Sequence, residues 1–167
     1  MIKNILVILM AIIAMGCTTQ KIYLVRHAEK GTIPKGNPQL TVLGEQRAID
    51  LATYLSSANV GAIYSTNTTR TIATAKPTSI QQNIALQLYN NDTTLKLFDA
   101  IIKHKKNTLV VGHSNTVLAM LDSLQVKHIT LQIADSTYNN MFVLTIKKHK
   151  MQLPLSCTLQ EIKYGKQ

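Results

Sequence analysis

The chain has 167 residues and a formal charge of +10, with 46% apolar, 16% charged and 5% aromatic residues. That length fits one core with no second domain, and the apolar share is too high for a disordered chain. The positive charge suits anionic partners, but the absence of Trp leaves few of the stacking platforms a nucleic-acid binder uses.

Residues 1–17 read MIKNILVILMAIIAMGC. The apolar run from Ile5 to Met15 is too short to span a bilayer, which takes about 20 residues, and suits the core of a signal peptide. Ala14 and Gly16 provide small residues at a cleavage site directly before Cys17, so the segment resembles a bacterial lipoprotein signal. It departs from the usual pattern at the front of the box, where Leu normally stands. The expected organisation is a signal peptide over 1–16, a lipid-anchor tether over 17–20 with Cys17 acylated, and one domain over 21–167. Plain secretion or an uncleaved anchor are the alternatives. The expected location is extracytoplasmic, on a membrane, where excess Lys would press the domain onto anionic lipid.

Lys21–Arg26 is a short apolar run that reads as a buried strand, followed by a Gly-, Pro- and Asn-rich loop over 31–38. Thr41 caps a helix through residue 57, and Gly61–Tyr64 is a second strand. Asn67–Ala75 reads as a short helix stopped by Pro77, and Ile84–Leu88 as a third strand. Asp92 is placed as the N-cap of a helix reaching Lys105. Thr108–Val111 is a strongly apolar strand with a helix directly after it, over Asn115–Leu124. Met141–Ile146 and Cys157–Lys163 close the chain as strands, with Cys157 expected to be a free, buried thiol. His104, His128 and His149 sit among lysines and read as solvated. Alternating strands and helices predict an α/β three-layer sandwich around a mostly parallel central sheet.

In such sheets ligands bind beyond the C-terminal strand ends, near helix N-termini. Arg26 and His27 end the first strand. Ser65-Thr66-Asn67 and Arg70 follow the second, and Gly112-His113-Ser114 ends the apolar strand. Only three of the 18 Lys and Arg residues are Arg, and two of them fall in these clusters. That placement favours a need for the bidentate guanidinium fork. Two guanidinia and two imidazoles at one sheet edge make a site for a doubly charged tetrahedral anion, and a neutral imidazole there is a competent nucleophile.

The ordered runs LVRHAEK (24–30), LTVLGEQRA (40–48), STNTTRTIATA (65–75) and VVGHSNT (110–116) resemble the histidine phosphatase superfamily, with its phosphoglycerate mutase-like fold. The resemblance extends over essentially all of 21–165. It implies that His27 is the nucleophile that becomes phosphorylated. Arg26, Arg70 and His113 would form the phosphate pocket, with the Ser114 amide as a further donor. For the proton donor to the leaving group, Asp92 is preferred and Glu29 is the alternative; Glu29 could instead orient a pocket arginine. Asn37 could touch substrate, although turn chemistry explains it equally.

The expected function is a metal-independent phosphomonoesterase working through phosphohistidine, with no cofactor, a small phosphorylated substrate and no obligate protein partner. Mutases of the family it resembles carry longer insertions between core elements, so the resemblance implies hydrolysis over a mutase-type phosphotransfer. A non-catalytic anion- or envelope-binding lipoprotein on the same fold is the reading from a different class.

Overall fold

The computed structural model describes residues 18–90, 92, 94–149 and 152–166. The signal peptide over 1–16 and Cys17 lie outside the described residues. The elements in order are β1 (Thr18–Arg26), α1 (Val42–Tyr54), β2 (Val60–Thr66), α2 (Thr69–Gln82), β3 (Leu86–Tyr89), α3 (Thr94–His104), β4 (Asn107–Gly112), α4 (Ser114–Ser123), β5 (Asn140–His149) and β6 (Gln152–Lys163).

They form one six-stranded sheet in the order β3-β2-β4-β1-β5-β6. The pairs β2–β3, β2–β4 and β1–β4 are parallel, whereas β5 and β6 close one side antiparallel. β1 is central, and its side chains alternate between two cores. Ile22 and Leu24 pack with Phe98 and Ile101 of α3 and with Val117, Met120 and Leu121 of α4. Tyr23 and Val25 pack with Leu51 of α1 and Ala75 of α2. Both sheet faces are therefore covered by helices, which explains why β1 and β4 are continuous apolar runs and confirms the three-layer α/β sandwich.

Four expectations need correction. First, β1 begins at Thr18, not Lys21. Thr18 and Thr19 pair with Lys148 and Lys147, and buried Gln20 donates to the carbonyls of Ile101 and Lys106 at 2.7 and 2.8 Å. Thr18–Gln20, assigned to the tether, thus belong to the sheet. Second, α2 runs through Pro77 to Gln82 and ends at Asn83 in the left-handed region, φ 53°. The backbone bond lost at Pro77 is offset by burial of Thr71, Thr74, Ala75 and Thr78, and by Gln82 donating to the carbonyls of Leu55 and Ser56. Third, α3 starts at Thr94, two residues after Asp92, so Asp92 is not directly before the helix. Fourth, Cys157 is a free but exposed thiol on the edge strand β6.

The Thr41 cap is as expected: its hydroxyl accepts from the Gly44 N–H at 3.1 Å. Gly44 is where α1 meets the chain after β1. A Cβ there would fall 2.2 Å from the Glu29 carbonyl oxygen, so only glycine lets the helix approach this closely. No helix of the described residues is long and apolar enough to cross a membrane.

Candidate active site

β1 and β4 are adjacent and parallel, with Arg26 paired to Gly112, so their C-terminal ends deliver Arg26-His27 and His113 to one edge. The His27 N–H donates to the Gly112 carbonyl at 2.9 Å, which continues the ladder one residue beyond the strand. The His27 and His113 rings meet edge-on, 5.4 Å between centroids and 68° between planes. Arg70 joins them from the first turn of α2, its Nη2 3.4 Å from His113 Nδ1.

The tautomers follow from the partners. His27 Nδ1 lies 2.8 Å from the Ala28 carbonyl oxygen. A carbonyl only accepts, so Nδ1 carries the proton and Nε2 keeps its lone pair. His113 Nδ1 faces a guanidinium that only donates, so its proton is on Nε2, 3.2 Å from Thr66 Oγ1. Burial is the main reason both imidazoles resist protonation. His27 is pushed down to about 3, with Arg26, Arg70 and His113 adding to burial against its Ala28 hydrogen bond. His113 falls to about 4, with Arg70, Arg26 and Lys30 adding to burial. At neutral pH both rings are uncharged and the site's positive charge is carried by the guanidinia.

Arg26 is 3% exposed. Its Nη1 donates to the carbonyls of Ala134, Asp135 and Thr137 at 2.8, 3.2 and 3.1 Å, and its Nη2 lies 3.3 Å from Asp135 Oδ1. Its plane sits 4.5 Å over the Tyr138 ring, which in turn lies 6.0 Å from His27. Arg26 therefore shapes the 134–138 loop into a wall of the site. The Nε–H groups of Arg26 and Arg70 are buried with no acceptor among the described residues. Buried guanidinium N–H donors together with neutral imidazoles suit the binding of an anion.

Ser114 opens α4 at its N-terminus. With Asn115, Gln132 and Asp135 it lines a groove of about 290 Å³. Asn37 takes the turn role: its Oδ1 accepts from the Thr69 N–H at 2.9 Å, tying the 31–38 loop to the start of α2. Glu29 does not reach a pocket arginine. Its carboxylate is held by Arg47, with Nε at 2.8 and 2.9 Å and Nη2 at 2.7 Å. Arg47 also donates to the carbonyls of Tyr164 and Lys166, so this pair pins the C-terminal tail onto α1. Asp92 is exposed beyond β3 at the same sheet edge, and no hydrogen bond or ion pair among the described residues joins it to the four-residue cluster. Nor do three or more His, Cys, Asp or Glu side chains gather as a metal site among the described residues.

Sequence reasoning missed the threonines that set this geometry. Thr71 donates to the Thr66 carbonyl, and its Oγ1 lies 3.1 Å from the Thr66 hydroxyl that faces His113. Thr74 accepts from the Ala28 N–H at 2.9 Å and donates to the Arg70 carbonyl at 2.7 Å. Their signal was present: Thr71, Thr74 and Thr78 recur on one buried stripe of α2. Tyr138 and Asp135, on an irregular loop, had none. Among the other histidines, His104 stacks on Tyr64 and His128 pairs with Asp122 at 2.9 Å, so neither is simply solvated; the His149 side chain lies outside the described residues.

Residues 22–91 match the model of the histidine phosphatase superfamily, branch 1. Over that segment the chain is similar to this superfamily. His113 lies beyond the matched segment and is joined to it by the fold. The solved structures agree in fold. A putative phosphohistidine phosphatase SixA from Agrobacterium tumefaciens superposes with TM-score 0.63 at 21% identity, covering 81% of this chain and 97% of that one. A mycobacterial glucosyl-3-phosphoglycerate phosphatase in complex with inorganic phosphate gives 0.64 at 11% identity, over 84% and 95%. A phosphoserine phosphatase from Entamoeba histolytica in complex with 3-phosphoglyceric acid gives 0.58 at 16% identity, over 76% and 90%. No curated protein matches the sequence.

Proposed function

We propose that this chain is a phosphatase of the histidine phosphatase superfamily that hydrolyses small phosphomonoesters through a phosphohistidine on His27. The observation that carries the reading is the buried, neutral, Nδ1-protonated His27 beside two orphaned guanidinium Nε–H donors. The Nε2 lone pair attacks phosphorus as the P–O bond to the leaving group breaks. The leaving oxygen takes a proton from a carboxylic acid, which we assign to Asp92. Water then attacks the phosphoramidate and gives a proton to the Asp92 carboxylate as the P–N bond breaks, so inorganic phosphate leaves with His27 neutral and Asp92 again an acid. Arg26, Arg70 and His113 hold the equatorial oxygens, and the Ser114 amide adds a donor at the α4 N-terminus. The guanidinia supply the positive charge the transition state requires, so the chemistry needs no metal.

The fold neighbours are named for different phosphorylated substrates, a sugar phosphoglycerate, a phosphoamino acid and phosphohistidine, which favours a reaction type over any one substrate. The sequence before Thr18 favours work outside the cytoplasm, at a membrane, through Cys17.

The decisive experiment incubates the protein with an aryl phosphate, with and without chelator, and measures intact mass after an alkaline quench that preserves phosphohistidine. We expect turnover unaffected by chelator, one phosphate adduct, and loss of both in His27→Ala. A folded protein without turnover between pH 5 and 8 would overturn the reading.

A further inference from the structure

Eight carboxylates serve the whole chain: Glu29, Glu45, Asp50, Asp92, Asp99, Asp122, Asp135 and Glu161. None lies in the segments that form the sheet end opposite the site, which are 18–21, 55–61, 82–86, 103–108, 145–149 and 152–158. The pairings establish that these segments share one end. β1 to β4 run parallel, so each starts there, while β5 finishes and β6 begins there. Lys21, Lys103, Lys105, Lys106 and Lys147 are all exposed on this end. They are also neighbours: the Lys21 N–H donates to Asn107 Oδ1, Gln20 donates to the Lys106 carbonyl, and Lys147 pairs with Thr19. Asp122, in the last turn of α4, is paired with His128. Thr18, which follows the apolar 5–15 run and Cys17, enters the sheet at this same end.

We infer that this lysine-rich end is a docking surface for an anionic lipid bilayer, and that it turns the active site away from the membrane. The inference rests on the tether reading for its choice of lipid over other polyanions. Lysines at one end of a sheet whose first strand emerges from a membrane-directed segment meet headgroup phosphates without repulsion. β1 then carries the chain roughly 25–30 Å from Thr18 to Arg26 at about 3.3 Å per residue. The His27 pocket opens on the far edge, so its substrates are soluble phosphomonoesters reaching it from the aqueous side, not phosphate headgroups of the supporting leaflet.

The test uses the full chain carrying Cys17→Ser, so that no lipid is attached, with vesicles of phosphatidylcholine alone or with added phosphatidylglycerol. The readout is the ratio of binding to anionic over neutral vesicles, which needs no phosphatase activity and so fails independently of the proposed reaction. At about fivefold for each lysine near the surface, Lys103→Gln, Lys105→Gln and Lys106→Gln together reduce that ratio about a hundredfold, and high salt abolishes it. Lys21→Gln with Lys147→Gln reduces it less and removes charge without reversing it, which guards against a folding artefact. Aryl phosphate turnover is unchanged in both variants. An unchanged ratio in the triple variant overturns the docking surface. Displacement from anionic vesicles by equimolar nucleic-acid duplex overturns the choice of partner. Hydrolysis of phosphatidic acid embedded in the same vesicles overturns the orientation.

Discussion

Thr74 Oγ1 accepts the backbone N–H of Ala28 at 2.9 Å while donating its own proton to the Arg70 carbonyl at 2.7 Å. One fully buried hydroxyl thus ties the residue after His27 to the helical turn that presents Arg70. The proposed nucleophile and a proposed phosphate ligand are set relative to each other by a side chain that touches neither reacting atom.

Thr74→Val keeps the volume and leaves the Ala28 N–H buried without an acceptor. We expect a loss of about 1–3 kcal/mol in stability, measured by urea unfolding, together with reduced turnover. Thr74→Ser should recover most of both, because the hydroxyl returns.

Thr66 acts on His113 in a similar way. Its hydroxyl accepts the His113 Nε2–H at 3.2 Å and is itself held by Thr71. Thr66→Val should lower kcat about fivefold to thirtyfold, the equivalent of roughly 1–2 kcal/mol, with little change in KM. Thr66→Ser should restore it. A kcat unchanged in Thr66→Val would show that His113 needs no such support.

The two depressed imidazoles set a pH window. Unfolded histidine titrates near 6.5, whereas folded His27 titrates at about 3 and folded His113 at about 4. Between these values the unfolded chain binds protons that the native protein excludes, so stability rises with pH across the window and is lost as pH falls from 6.5. Urea midpoints should decline from pH 7 to pH 4, and His27→Gln should flatten that decline. The rate of His27 phosphorylation, corrected for the substrate's own ionisation, should show no acid limb near 6.5.

Asp92 and Glu29 are the two carboxylate candidates for the proton donor, and their surroundings predict different phenotypes. Glu29 is engaged by Arg47 through both oxygens, so Glu29→Gln leaves a buried guanidinium poorly paired and destabilises by about 3–5 kcal/mol, while the folded fraction keeps its kcat. Asp92→Asn should leave the unfolding midpoint in place. It should slow hydrolysis of alkyl phosphates, whose leaving group needs a proton, much more than that of para-nitrophenyl phosphate. Equal losses on both substrates would remove Asp92 from the mechanism.

What the sequence by itself determined was what local pattern can carry. The apolar runs at 21–26 and 108–111 declared strands buried on both faces, the Thr41 cap declared a helix start, and the R-H, S-x-x-x-x-R and G-H clusters fell at strand ends where parallel sheets bind ligands. Those features depend on neighbours in the chain, so they were legible without coordinates. Tertiary structure decided the rest. Pro77 was read as a helix stop because its missing N–H is a local fact, yet packing of α2 against the sheet and α1 outweighed one lost bond. Glu29 looked available because it stands two residues from His27, but Arg47, 18 positions on, claims it across the α1 contact. Arg26 was placed as a phosphate ligand, and its grip on the carbonyls of 134–137 came from a loop with no periodicity to read. The lysines along 21, 103–106 and 147 gave only a net charge until the strand pairings gathered them on one end. Which distant residues share an edge is fixed by strand order and register, and those are properties of the folded sheet.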